Sequence, residues 1–163
     1  MKKVLLAVVI LVGLSTVANA QTSKGTWLLG GGASFTSQSE GGQSYSDWSI
    51  SPSIGGFIKN NLAIGALLDI NGYDGGTSTN INAYVKPYFG GSETNKWFAI
   101  GTIGSISGGG DTNLKYGIGL GNATFLNKSV ALEVSANYSQ LNTVVSSSEF
   151  ALKVGFQIHF GGK

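Results

Sequence analysis

The sequence predicts an all-β protein, an eight-stranded antiparallel up-and-down β-barrel that crosses a membrane with its strands. Between Phe150 and Phe160, the even positions are large and apolar while the odd positions are small or polar. A period of two over this length indicates a strand with one apolar face, long enough to cross a bilayer when tilted. Charged residues form only 11% of the chain, and 26 residues are glycine. That composition does not suit a soluble surface, so the strand pattern favours a membrane barrel.

The N-terminus has the features of a secretory signal peptide, which we expect to occupy residues 1–20 and to be cleaved before Gln21. Lys2 and Lys3 give a positive start, residues 4–12 are apolar, and Ala18-Asn19-Ala20 is a small-x-small cleavage motif. The alternative is a membrane anchor, but the apolar run is short for a spanning helix. No cysteine follows the motif, which excludes a lipoprotein anchor. The barrel is then expected to occupy residues 21–163.

The charge balance of the chain excludes several classes of function. Cleavage removes Lys2 and Lys3 from the 10 basic residues, which leaves eight positive charges against the 8 acidic residues. No basic patch remains to bind nucleic acid. The chain has no cysteine, so it can form neither a disulfide nor a thiolate metal site. We expect no cofactor and no metal.

The first two strand candidates are residues 25–36 and 45–58. In both, large apolar side chains alternate with glycine, serine or another small or polar residue. The serine- and glycine-rich residues 37–44 predict a loop between them. Pro52 lies inside the second candidate and cannot donate a hydrogen bond to a neighbouring strand. We therefore expect a bulge or a missing hydrogen bond at that position.

The third and fourth candidates are residues 62–73 and 80–89. Lys59-Asn60-Asn61 predicts a tight turn before the third candidate, and the glycine- and serine-rich residues 74–78 predict a loop after it. The fourth candidate has the most regular alternation of the chain, with apolar residues at its odd positions. Residues 90–95 predict the turn that follows.

The fifth and sixth candidates are residues 96–107 and 113–121. The pattern of the fifth is ambiguous, because the adjacent residues Trp97 and Phe98 are both large and must face opposite sides of the sheet. We expect Phe98 to face the lipid. The glycine-rich residues 107–111 predict a loop, after which the sixth candidate alternates apolar residues with glycine, asparagine and lysine.

The last two candidates are residues 130–138 and 150–160. Asn127-Lys128-Ser129 predicts a tight turn before the seventh strand, and residues 142–148 predict a loop after it. Eight antiparallel strands place both chain ends on one side of the membrane. The connections after strands one, three, five and seven are expected to be longer than those after strands two and six, an asymmetry typical of outer-membrane barrels.

The predicted orientation of the strands puts apolar side chains outside and polar side chains inside. Aromatic residues should form the two interfacial bands that a bilayer favours: Trp27, Phe89, Phe98 and Phe160 at the tight-turn end, and Phe35, Trp48, Tyr116, Tyr138 and Phe150 at the loop end. A soluble carrier of the lipocalin type would reverse this pattern. Near the middle of the membrane we expect four outward side chains, Leu68, Val85, Ile118 and Val134.

Four charged residues are predicted to face the interior: Asp69, Lys86, Glu133 and Lys153. A barrel of eight strands is just wide enough for its side chains to fill it, and buried charges must be paired. We therefore expect a structural charge cluster that plugs the lumen, with Glu133 paired to Lys153 or Lys86. The alternative is a path for ions or protons.

Residues 51–65 and 121–133 share a pattern of strand, aromatic residue, tight asparagine turn and apolar strand. In this pattern the chain resembles the small outer-membrane β-barrel family that includes the membrane domain of OmpA and the OmpX-type barrels. The resemblance covers the whole predicted barrel. It implies a bacterial outer membrane, surrounding outer-membrane lipids and lipopolysaccharide, and an assembly machinery that reads a terminal aromatic residue, here Phe160.

Two further features could suggest chemistry. His159 is the only histidine, but no nearby segment supplies an acid and a nucleophile in a recognisable motif, so we expect a structural role and no catalytic residue. The glycines of residues 117–121 lack the spacing of a nucleotide-binding motif. We expect them instead to thin the inner wall beside large residues such as Tyr84, Tyr88 or Trp97.

The sequence thus predicts an outer-membrane barrel that is not an enzyme and that contributes to envelope integrity. Binding of an unidentified partner by the outer loops is the first alternative. A narrow porin or a channel for small hydrophobic solutes is the second, and a lumen without charge pairs across it would support that alternative. An enzyme that modifies outer-membrane lipids is the least favoured, since His159 should lie at the end opposite the outer leaflet.

Overall fold

The computed structural model of the chain is a closed barrel of eight antiparallel strands. It describes residues 21–40, 43–73, 76–108, 111–142 and 147–162, so the predicted signal peptide lies outside the described residues. The strands are β1 (Thr26–Glu40), β2 (Gln43–Lys59), β3 (Leu62–Tyr73), β4 (Gly76–Phe89), β5 (Asn95–Gly108), β6 (Asp111–Phe125), β7 (Val130–Asn142) and β8 (Ser147–Gly161). Within this part of the chain, no helix is long and apolar enough to cross a membrane.

Every strand pairs with its neighbours in the chain, and β1 closes the barrel by pairing with β8. The closing register joins Trp27 to Phe160 and Ala33 to Val154. Closure leaves no strand edge, so the backbone groups along each strand find partners within the sheet. We call the end with the turns after β2, β4 and β6 the tight-turn end, and the opposite end the loop end.

The side chains alternate as predicted, with apolar groups outside and polar or small groups inside. In β4, the polar residues Asn80, Asn82 and Lys86 are buried, while Ile81 and Val85 between them are exposed. Ile118 on β6 is 70% exposed. A continuous apolar exterior of this kind is the surface that a bilayer covers, and it defines a transmembrane barrel.

The expectations for Trp97 and Phe98 are both wrong. Trp97 is 52% exposed on the outer face, whereas Phe98 is 2% exposed inside the barrel. The register pairs Phe98 with Tyr88 on β4 and with Gly121 on β6, and these neighbours face inward. The Phe98 ring lies 5.6 Å from the Tyr88 ring, in the space that the missing side chain of Gly121 leaves free.

Both prolines of the chain interrupt the strand pairing on one side. The β2–β3 register contains the pairs Ile50–Ile70 and Ser53–Leu67 but no pair at Pro52, so the interruption expected there is present. The β4–β5 register likewise has no pair at Pro87. A register shift in β2–β3 occurs elsewhere, between residues 57 and 59.

The strands extend into the segments that the sequence marked as loops. β1 continues to Glu40 and β2 begins at Gln43, so most of residues 37–44 is strand. The same holds for the predicted loops 74–78 and 107–111, whereas three of the seven residues 142–148 are strand. The residues between the strand ends there lie outside the described residues. The expectation that these connections are longer loops than those after β2 and β6 is therefore wrong for the residues that continue the strands. Backbone pairing does not need an apolar face, which is why the alternation signal stops before the strands do.

Candidate functional site

The half of the barrel interior toward the tight-turn end is filled by an apolar core. Its buried members are Leu28, Phe57, Ala63, Tyr88, Phe98, Ala123, Phe125 and Ala131, with Ile100 packed against them. Ring centroids of Phe57 and Tyr88 lie 5.5 Å apart, and those of Tyr88 and Phe98 lie 5.6 Å apart. Side chains from seven strands meet in this core and fill the lumen at this end of the barrel.

The segment before β1 covers the tight-turn end of this core. The Asn61 backbone N–H donates to the Thr22 carbonyl over 2.7 Å, and the Thr22 hydroxyl donates to the Asn61 side-chain oxygen over 2.6 Å. The Gly25 N–H donates to the Phe57 carbonyl over 2.9 Å. These bonds fix residues 22–25 across the barrel mouth.

His159 lies inside the tight-turn end, where the sequence placed it. It is 2% exposed, and its ring stands edge-on to Phe125 at 5.0 Å and tilted to Phe57 at 5.9 Å. Its Nδ1 donates a hydrogen bond to the carbonyl of Gln21. The ring contacts of this histidine are aromatic, so the described residues give it no arrangement of acid and nucleophile.

Above the apolar core, Lys86 and Glu133 form an ion pair across the lumen. Lys86 Nζ is 2.6 Å from Glu133 Oε2, and the two side chains are 6% and 14% exposed. The Tyr88 hydroxyl donates to the other carboxylate oxygen over 2.9 Å. Lys86 Nζ also lies 4.4 Å from the centre of the Phe98 ring. Of the two partners expected for Glu133, the structure therefore brings Lys86 to it.

A second ion pair lies nearer the loop end. Lys153 Nζ is 2.9 Å from Asp69 Oδ1 and donates to the Ser51 hydroxyl oxygen over 3.0 Å. Asn82 donates to the other Asp69 oxygen over 3.0 Å, and the Ser51 hydroxyl donates to Oδ1. Asp69 thus accepts bonds from β2, β4 and β8. The four predicted interior charges all face the lumen. They form two separate ion pairs rather than one cluster.

A third pair inside the barrel was missed. Lys115 on β6 and Glu149 on β8 lie 3.0 Å apart, between strands that are not neighbours in the sheet. The sequence placed Lys115 on the polar face of its strand but began the last strand at Phe150. Glu149 and Lys153 are four residues apart, so both face inward if β8 is extended back to Glu149. That spacing was the signal that could have predicted the pair.

Between these pairs the lumen contains a cavity of about 120 Å³. Its lining includes Asp69, Glu133 and Lys153, together with two buried groups, Tyr84 Oη and Gln157 Nε2, that have no hydrogen-bond partner within the described part of the protein. A cavity of about 10–15 Å³ already accommodates one water, so several waters fit here and can satisfy these groups. No three of the described His, Asp and Glu side chains are grouped to hold a metal ion.

The apolar exterior, the closed ladder and the paired charges inside define a small transmembrane β-barrel. Neisserial surface protein A (NspA) is similar in structure, with a TM-score of 0.66 and 19% identity over 84% of this chain and 98% of that one. The N-terminal barrel of Pseudomonas aeruginosa OprF matches with a TM-score of 0.61 and 12% identity, over 84% of this chain and 98% of that one. A designed transmembrane barrel matches with a TM-score of 0.59 and 9% identity over 85% and 98%.

These similarities concern the fold. No protein-family model matches the chain, and a search of curated protein sequences gives no match. The resemblance to small outer-membrane barrels that the sequence suggested is confirmed at the level of architecture.

Proposed function

We propose that this protein is a bacterial outer-membrane barrel without enzymatic activity, whose role is to maintain the envelope rather than to conduct solutes. Two natural proteins with the same fold are a neisserial surface protein and the barrel domain of OprF. The apolar exterior and the export motif of residues 18–20 also support this location. On this proposal the barrel is surrounded by outer-membrane lipids and lipopolysaccharide and is inserted by the outer-membrane assembly machinery.

The observation that carries the proposal is the closure of the lumen. The buried rings of Phe57, Phe98 and Phe125 fill the tight-turn half, and the Lys86–Glu133 pair lies directly above them. The water-accessible cavity therefore ends inside the barrel. A solute that enters it has no continuous path through the described interior.

A pore would need a lumen that its own side chains leave open. Lys86 on β4 reaches Glu133 on β7, and Lys153 on β8 reaches Asp69 on β3, so two ion pairs join strands that are not neighbours in the sheet. Opening a path would separate at least the first pair, and separating a buried pair without a substitute costs about 3–5 kcal/mol. A lumen without charge pairs across it would have favoured the porin and solute-channel alternatives, and these two pairs cross the lumen.

A lipid-modifying activity also lacks support from the described residues. His159 is buried between aromatic rings at the tight-turn end, and its Nδ1 is bonded to a backbone carbonyl. Lipid cannot approach a side chain in that position without displacing the segment that contains Gln21. Surface binding at the loop end, where β1 and β2 extend beyond the apolar band, remains the additional role that we propose for these strand ends.

Solute flux and lipid chemistry can be tested on one preparation. The protein is refolded into liposomes that contain lipid A and phospholipid, and the efflux of a trapped small sugar and the lipid products are followed together. We expect no efflux above protein-free liposomes and no hydrolysed lipid. As a positive control, Phe98→Ala combined with Phe57→Ala removes two of the rings that fill the tight-turn half of the lumen and should raise efflux. Lipid hydrolysis that His159→Ala abolishes, or efflux from the wild type, would contradict the proposal.

A further inference from the structure

The lysines of the barrel fall into two groups that differ in position and pairing. Three lie inside the barrel, and each forms an ion pair: Lys86, Lys115 and Lys153. Four lie at the tight-turn end, and none takes part in an ion pair within the described residues: Lys24, Lys59, Lys96 and Lys128. We call these four the basic rim. Unpaired cations are therefore concentrated at one end of the molecule.

The basic rim follows from where the strands end. Lys59 is the last residue of β2, Lys96 is near the start of β5, Lys128 lies in the turn between β6 and β7, and Lys24 precedes β1. Three of the side chains are exposed, and Lys96 is half-buried. Among the described residues, Glu93 is the one carboxylate at this end.

Hydrogen bonds hold two of these lysines close to the same turn. The Lys24 backbone N–H donates over 2.9 Å to the side-chain oxygen of Asn60, which directly follows Lys59. The Thr22–Asn61 bonds fix the same segment. Neither Lys24 nor Lys59 forms an ion pair within the described residues, so an external anion can bind there without displacing a carboxylate. The fold thus brings two of the four lysines to one turn, while the other two lie elsewhere on the same end of the barrel.

The position of the basic rim relative to the apolar exterior indicates which anion is available. Four outward apolar side chains flank the lysines in sequence and are exposed: Trp27, Ile58, Trp97 and Leu126. Tryptophan at a barrel end is typical of the membrane interface. The polar headgroup layer extends about 5–7 Å beyond the hydrocarbon on each side, and a lysine side chain can reach into it while its stem lies on apolar surface.

The loop end differs from the tight-turn end in the charged residues that lie near it in the chain. Glu40 ends β1, Asp111 begins β6, and Asp47 and Glu149 lie near the ends of β2 and β8. The lysines placed toward that end in the described part of the chain are both paired, Lys115 with Glu149 and Lys153 with Asp69. Within the described part of the chain, the lysines without an ion pair therefore lie at the tight-turn end and not at the loop end.

We propose that the basic rim binds the phosphate groups of anionic phospholipids in the leaflet that surrounds the tight-turn end. Each lysine near an anionic membrane surface contributes about 1 kcal/mol, which corresponds to about a fivefold change in affinity. Because the lysines belong to separate elements of the barrel, several lipids can bind around the rim at once.

The tryptophans of the chain allow this proposal to be tested at one end of the barrel. The Trp48→Phe variant keeps Trp27 and Trp97, which report on the tight-turn end, and the double variant Trp27→Phe/Trp97→Phe keeps Trp48 near the loop end. Each is reconstituted in phosphatidylcholine nanodiscs with a minor fraction of brominated phosphatidylglycerol or brominated phosphatidylcholine. We expect excess quenching by phosphatidylglycerol for Trp27 and Trp97 but not for Trp48, and we expect high salt to abolish it.

Charge variants identify the residues responsible. In the Trp48→Phe background, each single lysine-to-glutamine substitution in the basic rim should lower the preference for phosphatidylglycerol up to about fivefold, and the quadruple variant should abolish it. Lys115→Gln removes the same charge at the other end and should have no effect. Circular dichroism and heat-modified gel mobility verify folding of each variant.

Three results would overturn the proposal. The first is equal quenching by the two brominated lipids in the parent protein, and the second is a preference that the four single variants leave unchanged. The third is tight binding of soluble peptidoglycan fragments to the same lysines without any lipid preference, which would assign the basic rim to a carboxylate polymer instead.

Discussion

Replacement of Glu133 by alanine should destabilise the barrel by stranding a buried cation. Glu133 accepts bonds from Lys86 over 2.6 Å and from Tyr88 over 2.9 Å, and the Lys86 side chain is only 6% exposed. Breaking a buried pair by removing one partner costs about 3–5 kcal/mol. The face of Phe98, 4.4 Å from Lys86 Nζ, offsets about 0.5–2 kcal/mol of that cost. We therefore expect a net loss of about 1–4.5 kcal/mol.

Matched variants separate the charge from the packing. Glu133→Gln keeps an oxygen for Lys86 and should lose less stability than Glu133→Ala. The double variant Lys86→Met/Glu133→Leu replaces the pair by apolar groups of similar volume and should recover most of the loss, because the desolvation cost disappears with the charges. A double-mutant cycle with Lys86→Met then gives the coupling energy between the two residues.

The assay is equilibrium unfolding in urea of the protein refolded into phosphatidylcholine vesicles, followed by tryptophan fluorescence. The difference in unfolding free energy comes from the shift of the midpoint at constant slope. An unchanged midpoint for Glu133→Ala, or a coupling energy near zero, would refute the argument that the pair is buried and closes the lumen.

Three other substitutions test the inside and outside assignments. Val134→Arg places a charge on the lipid face and should destabilise folding by about 2–4 kcal/mol in the same assay. If the variant folds into liposomes as efficiently as the wild type, Val134 does not face the lipid. Gly121→Ala should cost about 1–3 kcal/mol, since its Cβ would lie 2.3 Å from the Phe98 ring. Gly101→Ala is its control, because the nearest atom there is 3.4 Å away; equal unfolding midpoints for the two alanine variants would contradict the packing argument. Asp69→Asn removes the charge that faces Lys153 but keeps a hydrogen-bond acceptor, so it should lower the unfolding midpoint less than Glu133→Ala does. A larger shift would contradict the expectation that the retained acceptor limits the loss.

The number of strands and the side of the sheet that each polar residue faces could be predicted from the sequence, because both depend on a period of two. Trp97 and Phe98 could not be assigned, since two adjacent large side chains satisfy either face. The small inner position at Gly121 decides between them, and it lies on another strand. The inward direction of Glu133 followed from its strand, whereas its pairing with Lys86 depends on the stagger of the strands around the barrel.

The lengths of the strands and the basic rim were also beyond the sequence pattern. Residues 37–40 and 43–44 are polar on both faces, so no alternation marks them as strand, yet the β1–β2 ladder extends through them. Lys24, Lys59, Lys96 and Lys128 are far apart in the chain, and they are only four of the eight lysines of the predicted barrel, residues 21–163. Only the antiparallel order of the strands brings them to one end.

Single-channel recording in planar bilayers tests most directly whether the lumen is closed. The refolded protein is added to a bilayer at high salt, and the Phe57→Ala/Phe98→Ala variant, which lacks two of the rings that fill the lumen, is recorded separately under the same conditions. We expect no stable conductance steps for the wild type and measurable steps for the variant. Discrete conductance steps in the wild type would contradict closure of the lumen, most clearly if the same steps appear when both Lys86 and Glu133 are replaced by alanine.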